Sequence, residues 1–421
     1  TVIDSLDTLA MLGLEQEYAQ GVSWVAEGGF DLGKNVTISV FETVIRVVGG
    51  FLSAYELRGD ASLLDASRRL GDKLMAAYAT PTGIPFNQLN LASGEVSNGR
   101  SRRAPSALAE YGTQQLELCK LSQLARNDTY CRTSLGALDY VHGRNPNLFL
   151  LPLSVDPRTG RFFGTKISLG AMGDSYYEYL LKLWILRGRR DEALRWRWER
   201  AMDDVLEHLT ENGPDGLLFL VDLQLRRTRR KMDHLACFVP GMLALGVQSG
   251  AVPGAEKQRL YLEAAAELTR TCWQMYARTK SGLPCEYVTW DAERISCSAR
   301  ACLQRPEALE AMFYMWRVTR EWKYRAWGWE IFKAYQKHAR VPGVGYGGIV
   351  DVMADDIKVD DRQQSFFLAE TIKYFWLLFS DDDALDLDAV VLNTEAHPLK
   401  IQTHDADVMP WVPGWDAAQA E

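Results

Sequence analysis

Apolar residues recur at helical spacing through most of the chain. The clearest case is Val40–Tyr55, VFETVIRVVGGFLSAY. There Val44, Val47, Val48, Phe51, Leu52 and Tyr55 fall on one helical face. The opposite face carries Glu42, Ile45, Arg46, Gly49 and Gly50, with Glu42 and Arg46 four apart and stacked on one side. Each mid-helix glycine costs roughly 1 kcal/mol against alanine, so something is expected to pack very close to it. A helix apolar on one side and small and charged on the other suits the inner ring of a double-layered helical barrel. A surface ion pair is the competing reading.

The same period recurs elsewhere. In Ile3–Leu14, Leu6, Leu9 and Leu12 form a stripe beside Asp4 and Asp7, as in a surface helix. Pro81–Gly99 is turn-rich and reads as a loop or hairpin. From Ser106, ALAEYGTQQLELCKL resumes the helical pattern and sets Glu110, Gln114 and Glu117 on one stripe. A loop at Asn145–Gly164 leads to Leu169–Leu186, with Asp174 or Ser175 as the expected N-cap. Asn212–Gln224 reads as a turn feeding a strand, and Arg226–Lys231 as a basic, solvated face. Met232–Gly246 sets Asp233, His234 and Cys237 beside an apolar surface, and a long helix over Lys257–Ala277 carries Cys272.

Leu303–Trp316 opens with Pro306 in a first turn, followed by Glu307 and Glu310 where the helix dipole favours carboxylates. Leu309, Met312, Phe313 and Trp316 form its buried stripe. Val341–Val352 is a glycine-rich loop running into a strand. Ser365–Phe379 is apolar nearly all round yet holds Glu370 in its middle, which is costly unless the carboxylate is paired or functional. No run is long enough for a parallel sheet, so the pattern predicts a single all-α toroid with small β-hairpins.

Near the end, VVLNTEAHPLKI (Val390–Ile401) breaks the helical rhythm. Proline at 398 argues against a helix through its polar residues, so the stretch is expected to be extended or turning. A hydroxyl, a carboxylate and an imidazole this close suggest a polar site at the end of a core element; a solvated tail is the alternative.

Composition narrows the function. At 421 residues the chain admits two domains or one large toroid. A net charge of −8 argues against nucleic acid or anionic membrane as the main partner. No apolar run approaches the roughly 18 to 20 residues that span a bilayer. The chain begins at Thr1, without a methionine or a signal peptide, and reads as a processed or truncated segment. Its seven cysteines form no CxxC, and its six histidines form no HExxH. Asn35-Val-Thr and Asn127-Asp-Thr are glycosylation sequons.

Seven stretches together resemble class I α-1,2-mannosidases, glycoside hydrolase family 47: IDSLDTL (3–9), VFETVIR (40–46), GDSYYEY (173–179), MDHLAC (232–237), QRPE (304–307), SFFLAE (365–370) and NTEAHP (393–398). They occur in family order over nearly the whole chain. The resemblance implies an (α/α)7 barrel plugged at one end by a C-terminal hairpin, with residues 1–400 as one catalytic domain and 401–421 as a tail. It implies Ca²⁺ held by the hydroxyl and carbonyl of Thr394 with waters, an oxygen-only set suited to a hard cation. It places Glu42, Asp174 and Glu307 on the family's catalytic carboxylates, with Glu307 as base and Glu42 as acid of an inverting hydrolysis. Arg46, Glu110, His234, Arg305, Glu310, Phe366, Glu370 and Glu395 match residues that line the sugar pocket or hold calcium-bound waters.

Cys237 and Cys272 match the family disulfide. Cys119, Cys131, Cys285, Cys297 and Cys302 have no assigned partner, and the odd total leaves at least one thiol free or intermolecular. Two departures stand out. The family domain normally has further residues before IDSLDTL, so the first repeat is expected to be incomplete. Met172 stands where endoplasmic-reticulum-type members carry arginine and Golgi-type members an apolar residue, which points to Golgi-type specificity. The expected activity is trimming of terminal α-1,2-mannose from high-mannose N-glycans by a monomer in the Golgi or endoplasmic-reticulum lumen, an ectodomain of a type II membrane protein whose anchor lies outside this chain. A lectin-like degradation factor on the same fold is the rival. A terpenoid cyclase would need DDxxD motifs, which Asp355-Asp356 and Asp360-Asp361 do not form.

Overall fold

Why the glycines at 49 and 50 are there is plain once the helices are placed. In the computed structural model, which describes residues 1–99 and 104–404, helix Val2–Met11 packs on helix Gly49–Arg58. A Cβ at position 50 would lie 2.8 Å from the backbone oxygen of Ile3, and one at 49 would lie 2.7 Å from Asn393 Nδ2. The glycine side of this helix is therefore buried. Asp4 and Asp7, expected on a surface helix, are 3% and 0% exposed; the first helix is covered on the side its carboxylates occupy.

The described chain forms two compact units. The first holds Thr1–Thr165, Ser175–Arg200 and the chain from Leu387; the second holds Lys166–Asp174 and Ala201–Asp386. Residues 405–421, most of the expected tail, lie outside the described residues.

In the first unit the expected Val40–Tyr55 helix is three joined pieces: Val40–Glu42, a π-helical stretch Thr43–Val48, and Gly49–Arg58. Ser39 caps it by accepting the Glu42 N–H at 3.3 Å. The helix expected from Ser106 is broken. Leu108–Gly112 ends before Thr113, and Gln115–Ala125 begins a new helix. Glu110, Gln114 and Glu117 therefore do not share a stripe. Asp174 is the first residue of helix Asp174–Leu186 rather than its cap. The turn-rich Pro81–Gly99 contains strands Gln88–Asn90 and Val96–Ser97, paired antiparallel.

In the second unit helices Val239–Gln248, Ala255–Ala277 and Glu307–Thr319 pack on one another. A three-stranded antiparallel sheet of Lys231–Asp233, Tyr287–Trp290 and Ile295–Ala299 aligns beside them. Every named strand pairing is antiparallel and the strands are short, as the sequence predicted. The exposed strand Arg227–Arg229 carries the basic run. Ser365–Phe379 opens with a π-helical stretch, Phe367–Thr371, ahead of helix Ile372–Phe379.

Cys237–Cys272 are bonded, with Cα atoms 5.9 Å apart. Four of the five unassigned cysteines also pair, as Cys119–Cys131 and Cys285–Cys297, and Cys302 remains a buried thiol. Each bond closes a short loop, worth on the order of 3 kcal/mol in the chain-entropy account.

Gly50→Ala is expected to lower stability by about 1–3 kcal/mol despite a helix-propensity gain, because the added methyl meets backbone rather than a movable side chain. Chemical denaturation of the variant against wild type measures it.

Candidate active site

The first unit gathers its polar residues around the C-terminal hairpin. Strands Val390–Leu392 and Pro398–Lys400 pair with Leu392 opposite Pro398. The turn between them is knotted by Asn393, whose Oδ1 accepts from the backbone N–H groups of Glu395 and His397, both at 2.8 Å. Its Nδ2 donates to the Ile45 carbonyl at 2.9 Å and to Glu117 Oε1 at 2.7 Å. His397 has Asp7 Oδ2 2.8 Å from Nδ1 and Asp4 Oδ1 3.1 Å from Nε2. The stretch read as a polar site is thus buried, not a solvated tail.

Arg46 organises the carboxylates facing this turn. It reaches Glu42 at 2.5 Å, Glu395 at 2.7 Å and Asp4 at 3.6 Å. Burial would lower its pKa, but Glu395, Glu42 and Asp4 together raise it, so the guanidinium stays charged. Glu395 is pushed up by burial and by the charges of Asp4 and Glu42, against the pull of Arg46. Glu42 is the accessible member, its side chain 48% exposed. Glu110 is raised mainly by burial and accepts the Ala107 N–H at 2.8 Å.

Thr394 sits at the apex. Its hydroxyl donates to Glu178 Oε2 at 3.2 Å, and its N–H points to the Tyr179 hydroxyl at 3.4 Å. Glu178 is also bonded by Lys182, and Tyr179 donates to Glu117 at 2.6 Å. Among the described residues no group of three or more His, Cys, Asp and Glu is placed to hold a metal. An ion here would have to rely on oxygens such as those of Thr394, with water. Glu117 Oε2 nearby is buried without a hydrogen-bond partner.

The second unit builds its cluster around Glu307, at the start of its helix with Pro306 at the cap. Glu307 Oε2 lies 2.7 Å from His234 Nδ1, and His234 Nε2 lies 2.7 Å from the Tyr276 hydroxyl. Burial would raise the Glu307 carboxyl; the hydrogen bond from His234, together with Arg305, outweighs it and holds the pKa below the ordinary value. Arg305 is fixed by Glu286 at 2.6 Å and lies over the Phe366 ring, 5.8 Å from its centroid. Its charge is further favoured by Glu307 and Asp174. Tyr374 donates to Glu310 at 3.0 Å, and Glu370 is buried. Met172 is 49% exposed and has φ +78°, so its apolar side chain is presented by a backbone that L-residues rarely adopt.

The structure thus groups Glu42, Arg46, Glu110, Thr394 and Glu395 in the first unit. Met172, Asp174, His234, Arg305, Glu307, Glu310, Phe366 and Glu370 belong to the second. Sequence reasoning passed over Glu178, Tyr276 and Glu286, and read Glu117 only as part of a stripe. Glu178 and Lys182, at four-residue steps from Asp174, formed a ladder that could have flagged the first. Nothing local marked Tyr276 or Glu286. Chemically, the Glu307 cluster offers a carboxylate kept ionised and ready to accept a proton. The Arg46 cluster offers an accessible carboxyl beside a fixed cation.

Burial raises the Glu117 pKa to about 7, against hydrogen bonds from Tyr179 and Asn393. The folded chain therefore keeps a proton that the unfolded chain releases from about pH 4.5, and wild-type stability falls as pH rises through that window to 7. Glu117→Gln can keep both bonds through its amide oxygen and lacks the titration. Its stability should gain on wild type by roughly 3 kcal/mol between pH 4.5 and 7 and level off above. Denaturant melts across this range in chelator provide the measurement, and parallel curves would contradict it.

Residues 1–401 match Glycosyl hydrolase family 47. The chain is 40% identical over 418 residues to mannosyl-oligosaccharide alpha-1,2-mannosidase IA of Drosophila melanogaster, covering 96% of this chain and 61% of that protein. It is 41% identical to human mannosyl-oligosaccharide 1,2-alpha-mannosidase IB, covering 95% and 63%. The chain thus spans about three fifths of the length of these relatives. Among solved structures it resembles the alpha-1,2-mannosidase from Trichoderma reesei, with TM-score 0.86, 27% identity and coverage of 95% and 90%. That likeness bears out the helical (α/α)7 fold class with small antiparallel hairpins. Cellobiose 2-epimerase from Spirochaeta thermophila, TM-score 0.60 at 12% identity and coverage of 86% and 97%, shares the fold alone. With the motifs in order and this match along its length, the chain belongs to glycosyl hydrolase family 47.

Proposed function

We propose that this chain hydrolyses terminal α-1,2-linked mannose from high-mannose N-glycans with inversion at the anomeric carbon. One observation carries the reading: Glu307 is a half-buried carboxylate held ionised by His234 and Arg305. That state serves a base that takes a proton from the attacking water. Glu42, accessible and paired with Arg46, is the acid that protonates the leaving oxygen, and inversion requires this division between two carboxyl groups. Asp174 is the third carboxylate of the reaction, and its charge acts on Arg305. Arg305 with Phe366, and Glu310, Glu370, Glu110 and Glu395, supply hydrogen-bonding and stacking surface for a sugar. The names of the relatives support the substrate.

Calcium fits the first unit's turn, where Thr394 would hold it through its two oxygens; the ion would add hard, oxygen-directed ligation of sugar hydroxyls and water. Glu178 and Asn393 keep Thr394 at the apex by hydrogen bonds to it and within its turn. The Cys237–Cys272 bond and the complete carboxylate set favour turnover over glycan binding alone. Met172 favours the broader, Golgi-type trimming, and the three disulfides suit the oxidising lumen of the secretory pathway. Residues 1–400 act as one catalytic domain, working as a monomer.

Incubation with Man₉GlcNAc₂ under proton NMR tests the reading. The β-anomer of mannose should appear first, and exhaustive chelation should stop its release. A wild-type chain that binds the glycan without releasing mannose would leave the lectin-like reading standing.

Glu307→Gln keeps the shape of the side chain but cannot accept a proton. Its kcat is expected to fall about 10² to 10⁴-fold, with KM and melting temperature changing far less. Near wild-type kcat would move the base to Asp174.

A further inference from the structure

Two elements of the second unit are stapled one turn away from Glu307's partner. Cys237 lies three residues after His234, and Cys272 lies four residues before Tyr276 on helix Ala255–Ala277. The Cys237–Cys272 bond therefore ties the segment carrying the imidazole to the helix carrying the phenol. Both residues are buried, the ring 0% and the tyrosine 1% exposed, so water does not compete for their hydrogen bonds.

The bonding around the ring admits few arrangements. An ionised Glu307 accepts only, so the nitrogen 2.7 Å from it, Nδ1, must carry the hydrogen. The other nitrogen faces the Tyr276 hydroxyl at 2.7 Å, which among the described residues is that hydroxyl's one hydrogen-bond partner. If Nε2 also carried a hydrogen, the phenol proton would be left without an acceptor in a dry site, an arrangement that costs free energy.

We infer that Tyr276 is a positioning residue: its hydroxyl donates to His234 Nε2, fixes the Nδ1–H tautomer, and so aims a donor at Glu307. Burial first, then the charges of Cys302, Glu307 and Glu286, raise the phenol's pKa, so its proton stays in place throughout the working range. The other charged groups facing the relay are Arg305, which acts on Glu307, and Asp174, which acts through Arg305. Without the phenol hydroxyl only the Glu307 bond still favours Nδ1–H, so the Nε2–H tautomer, the commoner one in water, gains population, and in that fraction the ring gives Glu307 no donor. This rests on the hydrolase reading for its effect on rate, and on geometry alone for its effect on the ring.

The test uses the full chain with histidine labelled by ¹⁵N in the imidazole, comparing wild type with Tyr276→Phe. In wild type His234 should show protonated Nδ1 and an accepting Nε2. In the variant the Nε2–H tautomer should become populated. The kcat for mannose release should fall about 10-fold with KM within about twofold, since a wrongly oriented partner removes part of the base's contribution. The acid limb of the kcat profile should move to higher pH, because Glu307 loses a donor that holds its pKa down. A merely structural tyrosine would change melting temperature and leave tautomer and acid limb in place. Protonated Nε2 in wild type, an unchanged Nδ1–H in the variant, or a changed tautomer with unchanged kcat each overturn the proposal. If wild type releases no mannose, the hydrolase reading fails, and the tautomer measurement still decides the wiring.

Discussion

A single imidazole lies at the meeting point of three stretches far apart in sequence. His397, in the hairpin turn, has an aspartate oxygen at each ring nitrogen, one from Asp4 and one from Asp7 on the first helix. All three side chains are shut away from water. Each ring nitrogen thus faces a carboxylate oxygen, and the ring ties the hairpin turn to the first helix. Asp7 also accepts from Ser53 at 3.0 Å, and Asp4 faces Arg46 at 3.6 Å. The glycines at 49 and 50 follow from this clasp, since a side chain at either position would displace Asn393, His397 or the Ile3 carbonyl. Removing one member of such a buried set leaves an uncompensated charge, at a cost of about 3–5 kcal/mol.

What the clasp delivers is a turn in one conformation. Asn393 closes it from within by taking two backbone N–H groups, while Glu117 and the Ile45 carbonyl hold Asn393 from without. Thr394 is thereby placed beside Glu178, and Glu395 beside Arg46. A surface loop carrying the same residues would bond to water instead, and its oxygens would have no fixed direction. The π-helical stretch at Thr43–Val48 lies where Arg46 leaves the helix to reach three carboxylates, consistent with the tendency of such irregularities to gather at functional sites.

The second unit solves a similar problem with fewer charges. Its sheet brings the Lys231–Asp233 strand against Tyr287–Trp290, and the His234 N–H continues the pairing by donating to the Glu286 carbonyl at 2.9 Å. The Glu286 side chain meanwhile takes the Leu303 N–H and Arg305. One residue thus ties the backbone before the Glu307 helix to the backbone before His234. The Cys285–Cys297 bond sits beside it, tying the segment just before the central strand Tyr287–Trp290 to strand Ile295–Ala299.

By itself the sequence determined the helical period of the long segments, the break of that period at Val390–Ile401, the close approach at Gly49-Gly50 and the motif residues Glu42, Arg46, His234, Glu307 and Thr394. These are legible because they depend on spacing along one element, on a backbone too crowded for a side chain, or on strings long enough to identify a family. Tertiary structure alone decided the rest. Asp4 and Asp7 look like the polar side of a surface helix until the hairpin covers them. Glu110 and Glu117 look like one stripe until the chain breaks at Thr113. Four unassigned cysteines acquire partners, and Tyr276 acquires a role, only when distant segments meet. The physical reason is common to all of them: a polar or thiol group is read by its partner, and when the partner lies far away in sequence, local pattern carries no trace of it.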